Sequence, residues 1–172
     1  MRRTDREITD KSEIIDIIEK CDVCRLAFSD NNIPYIVPMN FGYEYKCEND
    51  EDECEKLTLY FHGAGEGRKH DIMKTNPIVC FEIDCSHKLI EAEEAGNYTM
   101  EYESVIGTGK ASYCNEKAEK INALNHLMKQ YAKDKTFTFT DQIMDSVTVF
   151  KLEVTEFAGK RLKTKQGDGS SA

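Results

Sequence analysis

From Cys24 to Phe41 the side chains repeat with a period of two, and this constrains the fold more than any other feature of the chain. Cys24, Leu26 and Phe28 alternate with Arg25, Ala27 and Ser29, and Asp30-Asn31-Asn32 supplies turn residues before Ile33-Pro34-Tyr35-Ile36-Val37-Pro38-Met39-Asn40-Phe41. This reads as a β-hairpin whose second strand is apolar on both faces. Pro34 and Pro38 have no N–H to give to a ladder, so that strand is expected to be irregular or unpaired there, where a ligand or partner chain can approach. Further strands are predicted over 57–61, 77–84, 102–113 and about 147–157. Gly107 and Gly109 mark the 102–113 strand for a bulge, a barrel corner or a close backbone approach. Helices are predicted over about 11–20, behind the capping box Asp10-Lys11-Ser12-Glu13, in the segment that closes before Pro77, and from an Asn115 cap to about Tyr131. The last carries Ala118, Ile121, Leu124, Met128 and Tyr131 on one stripe. Helices do not alternate with strands as a doubly wound fold requires. The expected class is therefore α+β, a small antiparallel barrel of six strands with peripheral helices.

At 172 residues the chain has room for one domain, expected over 1–165, with a disordered tail over 166–172. The acidic stretch 44–56 has too few apolar residues to join a core and reads as a mobile hairpin tip. A formal net charge of -9 argues against nucleic acid or an anionic membrane as partner, so any bound anion must be held by local geometry. No apolar run of membrane-spanning length occurs, and the N-terminus lacks a signal-peptide core. Seven irregularly spaced cysteines suit reduced thiols, which together with the missing signal points to a cytoplasmic protein.

The segment His62-Gly63-Ala64-Gly65-Glu66-Gly67-Arg68-Lys69 joins a strand to a helix start. Glycines allow a ligand close to the backbone, the helix N-terminus offers N–H groups, and Arg68 and Lys69 add two cations, a combination suited to a phosphate. An ordinary β-to-α turn with solvated cations is the plainer reading. On the residues alone, His62 reads as a histidine hydrogen-bonded at a strand end. His70, His87 and His126 have no such context and are expected at the surface. Cys21-Asp22-Val23-Cys24 has zinc or redox spacing, with Cys47 and Cys54 as further thiolates, but Cys24 also fits the apolar phase of its strand. No metal is expected.

Val37-Pro38-Met39-Asn40-Phe41-Gly42-Tyr43-Glu44, Tyr60-Phe61-His62-Gly63-Ala64, Gly67-Arg68-Lys69 and Glu103-Ser104-Val105-Ile106-Gly107-Thr108-Gly109-Lys110-Ala111 resemble, in this order, the nitroimidazole-resistance proteins. Those are flavin-binding split barrels related to pyridoxamine 5'-phosphate oxidase. The resemblance runs from about Cys21 to Arg161 and implies an FMN-binding split barrel. Pro38, Met39, Asn40 and Phe41 would then lie along the isoalloxazine, and His62, Gly63 and Ala64 along the ribityl and ring region. Arg68 or Lys69 would meet the phosphate, while Ser104 and Val105 would come from a neighbouring strand. It further implies a homodimer with flavin mononucleotide between subunits and a small-molecule electron acceptor. His62 would be the catalytic residue of an FMN-dependent oxidoreductase acting on nitroimidazole-type compounds or another acceptor. A non-enzymatic flavin- or haem-binding carrier or sensor is the alternative on the same barrel, and an interaction domain without cofactor is a third reading. Lys160 and Arg161 match a basic ending of the family, with phosphate binding, dimer contact or neither as their role.

Overall fold

The computed structural model describes residues 3–47, 55–133 and 135–163. Its strands are β1 (Glu7–Ile8), β2 (Cys24–Asp30), β3 (Ile33–Met39), β4 (Gly42–Cys47), β5 (Glu55–Gly63), β6 (Ile78–Ile90), β7 (Thr99–Tyr113) and β8 (Thr148–Leu162). They form one antiparallel sheet in the order β3-β2-β6-β7-β8-β5-β4, with β1 paired to β8. Among the described residues four α-helices lie outside the sheet: α1 (Lys11–Lys20), α2 (Arg68–Thr75), α3 (Lys117–Tyr131) and α4 (Asp141–Ser146). The class is α+β, as the periodicity implies.

The free ends of the sheet are β3 and β4, and only Asn40 and Phe41 connect them. The sheet curls until the Met39 methyl lies 3.9 Å from where a Cβ on Gly63 would stand, which makes a barrel with one split seam. Phe41 fills that seam and is fully buried. Its backbone N–H donates to Tyr131 Oη at 2.9 Å, and the Tyr131 hydroxyl donates to the Asp22 carbonyl at 2.8 Å. Helix α3 crosses the seam so closely that a Cβ on Gly42 would stand 2.4 Å from the His126 carbonyl carbon, so only glycine fits.

Inward residues of the strands, among them Leu26, Phe61, Phe81, Ile83, Phe150 and Leu152, build the main core, and Ile14, Ile17 and Ile18 of α1 close one end. A second cluster under α3 joins Tyr60, Leu124, Leu127 and Val149. Asp10 caps α1 by accepting the Ser12 N–H at 2.8 Å, while Glu13 turns to Arg161.

Several elements differ from the sequence expectation. The proline strand ends at Met39, and its pairing with β2 runs unbroken through Pro34 and Pro38. Because β3 is an edge strand, the missing N–H groups face no neighbouring strand and the irregularity does not arise. Among the described residues eight strands replace six, since β1 is too short for a periodicity signal and β4 lies partly in the acidic stretch. Strands β6 and β7 pair well past their apolar runs, Lys88–Ile90 against Thr99–Glu101, beyond a bulge with Ser86 at φ 60. A two-stranded ribbon outside the core needs no apolar alternation, so this part left no signal. Helix α3 starts behind Glu116 and not Asn115, and its buried residues are Ala123, Leu124 and Leu127. Tyr131 leaves the expected apolar stripe for its hydrogen bonds at the seam. The glycines behave as expected: a Cβ on Gly107 would stand 2.5 Å from both the Glu156 carbonyl oxygen and the Phe81 ring, and a bulge falls between Thr108 and Gly109. The tip over 48–54 and the tail over 166–172 lie outside the described residues. Among the described residues no helix is long and apolar enough to cross a membrane.

Candidate functional site

Four residues, Ala64 to Gly67, carry the chain from the end of β5 to the first turn of α2. Gly67, at φ 124, turns into the helix in a conformation that a side chain would strain. Its carbonyl accepts from the N–H groups of His70 and Asp71. The N–H groups from Gly65 to Lys69 find no acceptor among the described residues, so the loop and the helix start present a continuous run of donors.

Lys69 lies against this run. Its Nζ is 3.5 Å from the Cβ position of Gly63, which also faces Met39, so the ends of β3 and β5 and the start of α2 converge at one point. Among the described residues Lys69 has no ion-pair partner. Arg68, the second cation expected on a phosphate, donates to Asp30 Oδ2 from Nε at 3.1 Å and from Nη2 at 3.0 Å, and lies 4.6 Å over the Tyr35 ring.

His62 is exposed on β5 opposite Val149. Strand alternation puts it on the side of Tyr60 and Thr58, away from the side of Gly63. Its side chain has no hydrogen-bond partner among the described residues. His70 contradicts the sequence expectation. It is 2% exposed, with Nδ1 2.8 Å from Tyr113 Oη and Nε2 2.7 Å from the Ala64 carbonyl oxygen. Its ring also stacks on Tyr113 and meets Phe150 edge-on. Burial pushes its pKa below the ordinary imidazole value, with Lys69 and Lys74 acting in the same direction and the Ala64 carbonyl and Asp71 against it. The i, i+6 spacing from Ala64 was the only trace of this contact in the sequence, and it carries no recognised pattern. His126 is half-buried and stacks on Tyr60, whereas His87 is exposed and pairs with Asp84.

The Pro38–Phe41 segment divides in two. Pro38 and Asn40 are exposed, and Asn40 Nδ2 reaches the Asp22 carbonyl at 3.5 Å. Met39 faces Gly63, whereas Phe41 is buried with its N–H already used by Tyr131. Val105 is buried in the barrel on the row Met39, Cys24, Ile83, Val105, three strand spacings or about 14 Å from β3 along the sheet. Ser104 is on the outer face between Asp84 and Lys160. One chain therefore brings together Met39, Gly63, the 65–69 amides and Lys69, but neither Ser104 nor Val105. The outer face bears exposed apolar side chains, Ile36 (61%), Ile78 (53%) and Ile106 (54%), beside exposed Cys80.

Arg161 has a structural partner. Glu103, 1% exposed, accepts from Arg161 Nε at 2.6 Å and from Ser86 Oγ at 2.8 Å, with Lys20 and Lys163 each at 3.4 Å. Burial alone would raise the Glu103 pKa, but Ser86, Arg161 and the two lysines bring it down to about 2. Lys160 lies 5.7 Å over the Tyr102 ring. Cys21 and Cys24 are buried in the core, Cys54 lies outside the described residues, and no group of three metal-binding side chains occurs among the described residues. A cleft of about 340 Å³ between α1, β4 and α3, lined by Ile15, Tyr43 and His126, is remote from the glycine loop and has its carboxylates paired, Glu19 with Lys133 and Glu44 with Lys46.

The profile of the pyridoxamine 5'-phosphate oxidase family matches residues 10–161. No curated protein matches the chain. Among solved structures, a Bacteroides thetaiotaomicron protein provisionally assigned to 5-nitroimidazole antibiotic resistance is 36% identical, over 90% of this chain and 86% of that one, with a TM-score of 0.73. A FAD- and heme-binding protein from Mycobacterium smegmatis has the same fold at 12% identity, over 92% of this chain and 74% of that one, with a TM-score of 0.73. A FAD-binding protein from Mesorhizobium loti shares it at 18% identity, over 92% of this chain and 98% of that one, with a TM-score of 0.59.

Proposed function

The chain belongs to the pyridoxamine 5'-phosphate oxidase family, and from that premise we propose that it is a homodimeric flavin mononucleotide protein that passes electrons to a small acceptor of the nitroimidazole type. The observation that carries this reading is the run of N–H groups from Gly65 to Lys69 beside the Lys69 ammonium, none of which has a partner among the described residues. Amide donors at a helix start with one cation suit a phosphate monoester, and on a chain of net charge -9 this is where a single anionic group is accommodated. Lys69 and the amides hold the phosphate, while Arg68 stays with Asp30 and borders the site. Met39, Gly63 and Ala64 border the ribityl chain, and Pro38 and Asn40 border the ring.

Flavin, when bound, supplies reversible uptake of one or two electrons. The chain's own part in the reaction is proton transfer and exclusion of water. His62, exposed and with no side-chain hydrogen bond among the described residues, gives a proton to the acceptor as it is reduced, because imidazole can act as a general acid. A second copy covers Ile36, Ile78 and Ile106 and supplies Ser104 from the outer face of its β7, while Val105 stays inside its own barrel, closing a site that one chain leaves open.

Purified protein is expected to be yellow, to release flavin mononucleotide on denaturation and to lose it when Arg68 and Lys69 are both changed to Ala. Colourless protein that cannot be reconstituted with flavin mononucleotide rejects the reading, and released FAD in its place rejects the choice of flavin. Reduced protein is expected to be reoxidised faster by a nitroimidazole, and more slowly in His62→Ala. Reoxidation unaffected by any nitroaromatic leaves a flavin carrier.

A further inference from the structure

Gly63 and Gly65 flank Ala64, so sterics alone do not choose which way the Ala64–Gly65 peptide faces. A buried contact makes the choice. The Ala64 carbonyl oxygen lies 2.7 Å from Nε2 of His70. A carbonyl can only accept, so Nε2 carries the proton, and in the neutral ring Nδ1 accepts from the Tyr113 hydroxyl at 2.8 Å. Tyr113 stacks on the imidazole and Phe150 meets it edge-on, so ring position and tautomer are both fixed. Burial favours the neutral form and outweighs the pull of the Ala64 carbonyl toward the protonated one, with the cations Lys69 and Lys74 acting with burial and Asp71 against it.

The peptide is trans, so its C=O and N–H point in opposite directions. With the carbonyl turned in to His70, the Gly65 N–H points away from it, and it begins the run of N–H groups, continued by Glu66 to Lys69, that have no acceptor among the described residues. A flipped peptide would present the carbonyl oxygen there and repel an anion. We propose that His70 is the positioning residue of the phosphate site, holding the Ala64–Gly65 peptide in the one orientation that offers the Gly65 N–H to the flavin phosphate. The inference rests on the flavin reading above and adds to it a residue that never touches the ligand.

Flavin mononucleotide and riboflavin differ only by the phosphate, so affinity for the two separates a phosphate effect from a general loss of structure. His70→Leu is expected to weaken flavin mononucleotide binding about tenfold and to change riboflavin binding less than about twofold. His70→Gln, which keeps an N–H donor near Ala64, is expected to restore most of the preference. In the unaltered protein the Gly65 amide resonance is expected to shift downfield with flavin mononucleotide and to stay in place with riboflavin, a readout that needs no variant to fold. A His70→Leu protein that keeps the full preference for the phosphorylated flavin overturns the inference while the flavin reading stands. Equal loss of both flavins, or a Gly65 resonance that moves alike with both, also overturns it. Unaltered protein that binds neither flavin overturns both readings.

Discussion

Two places in the molecule gather cations, and they are built in opposite ways. Around Glu103, Arg161, Lys20 and Lys163 converge on a buried carboxylate that also accepts from Ser86, so donors and acceptor satisfy one another within the protein. At the start of α2, the amides from Gly65 to Lys69 and the Lys69 ammonium have no protein partner among the described residues. Each region contains basic residues from a family-like segment, yet only the second has donors left over for a ligand. A basic residue next to a motif is therefore informative only once its partners are known. Arg68, between Gly67 and Lys69 in the chain, sides with the closed pattern through Asp30.

The largest effect is expected at Glu103. Glu103→Ala leaves Arg161 beside an empty pocket and is expected to cost about 3 kcal/mol in urea unfolding, with little change in flavin affinity. The same group sets an acid limit. An ordinary glutamate titrates at 4.5 and this one at about 2, so its contribution, roughly 3 kcal/mol, is complete above 4.5 and is lost as pH falls from there through 2. Flat stability between pH 5 and pH 2.5 would contradict the closed network. Next comes the seam: Gly42→Ala forces a methyl onto the α3 backbone and is expected to cost about 2 kcal/mol, read as a lower unfolding midpoint. Lys69→Ala sharpens the contrast, since it is expected to weaken flavin mononucleotide binding about tenfold with the unfolding midpoint nearly unchanged. Smallest of all, Arg68→Ala is expected to change affinity less than about threefold and stability by at most about 0.5 kcal/mol, as an exposed ion pair should. A larger affinity loss for Arg68→Ala than for Lys69→Ala would reverse the assignment of the phosphate cation.

The antiparallel α+β class was legible because β2, β5, β6 and β7 each carry an apolar period that matches a buried face. Helix α1 was legible to the residue, since its Asp10 cap and isoleucine spacing are local signals. The two-residue link between the sheet's free ends was not, because nothing local distinguishes Asn40-Phe41 as a crossing from a continued strand. The site divides in the same way. Glycines and cations in a row made the loop after β5 conspicuous, whereas His70 was misread as a surface residue because its partners, Tyr113 and Phe150, come from β7 and β8 far along the chain. Likewise, no spacing in the sequence could show that Arg68 belongs to Asp30, 38 residues earlier.

The prolines of β3 have a consequence for the company the molecule keeps. A bare sheet edge invites another chain to add a strand, the route to fibrils and tangled oligomers, and β3 is such an edge. Pro34 and Pro38 share the phase of Ile36, so along the open side every second outward position lacks a donor and an incoming strand meets gaps in its ladder. The apolar side chains beside that edge can be buried by a neighbour that lies flat on the sheet, but not by one that extends it. Aggregation by templating is thus discouraged at the same strand that exposes Ile36 for association.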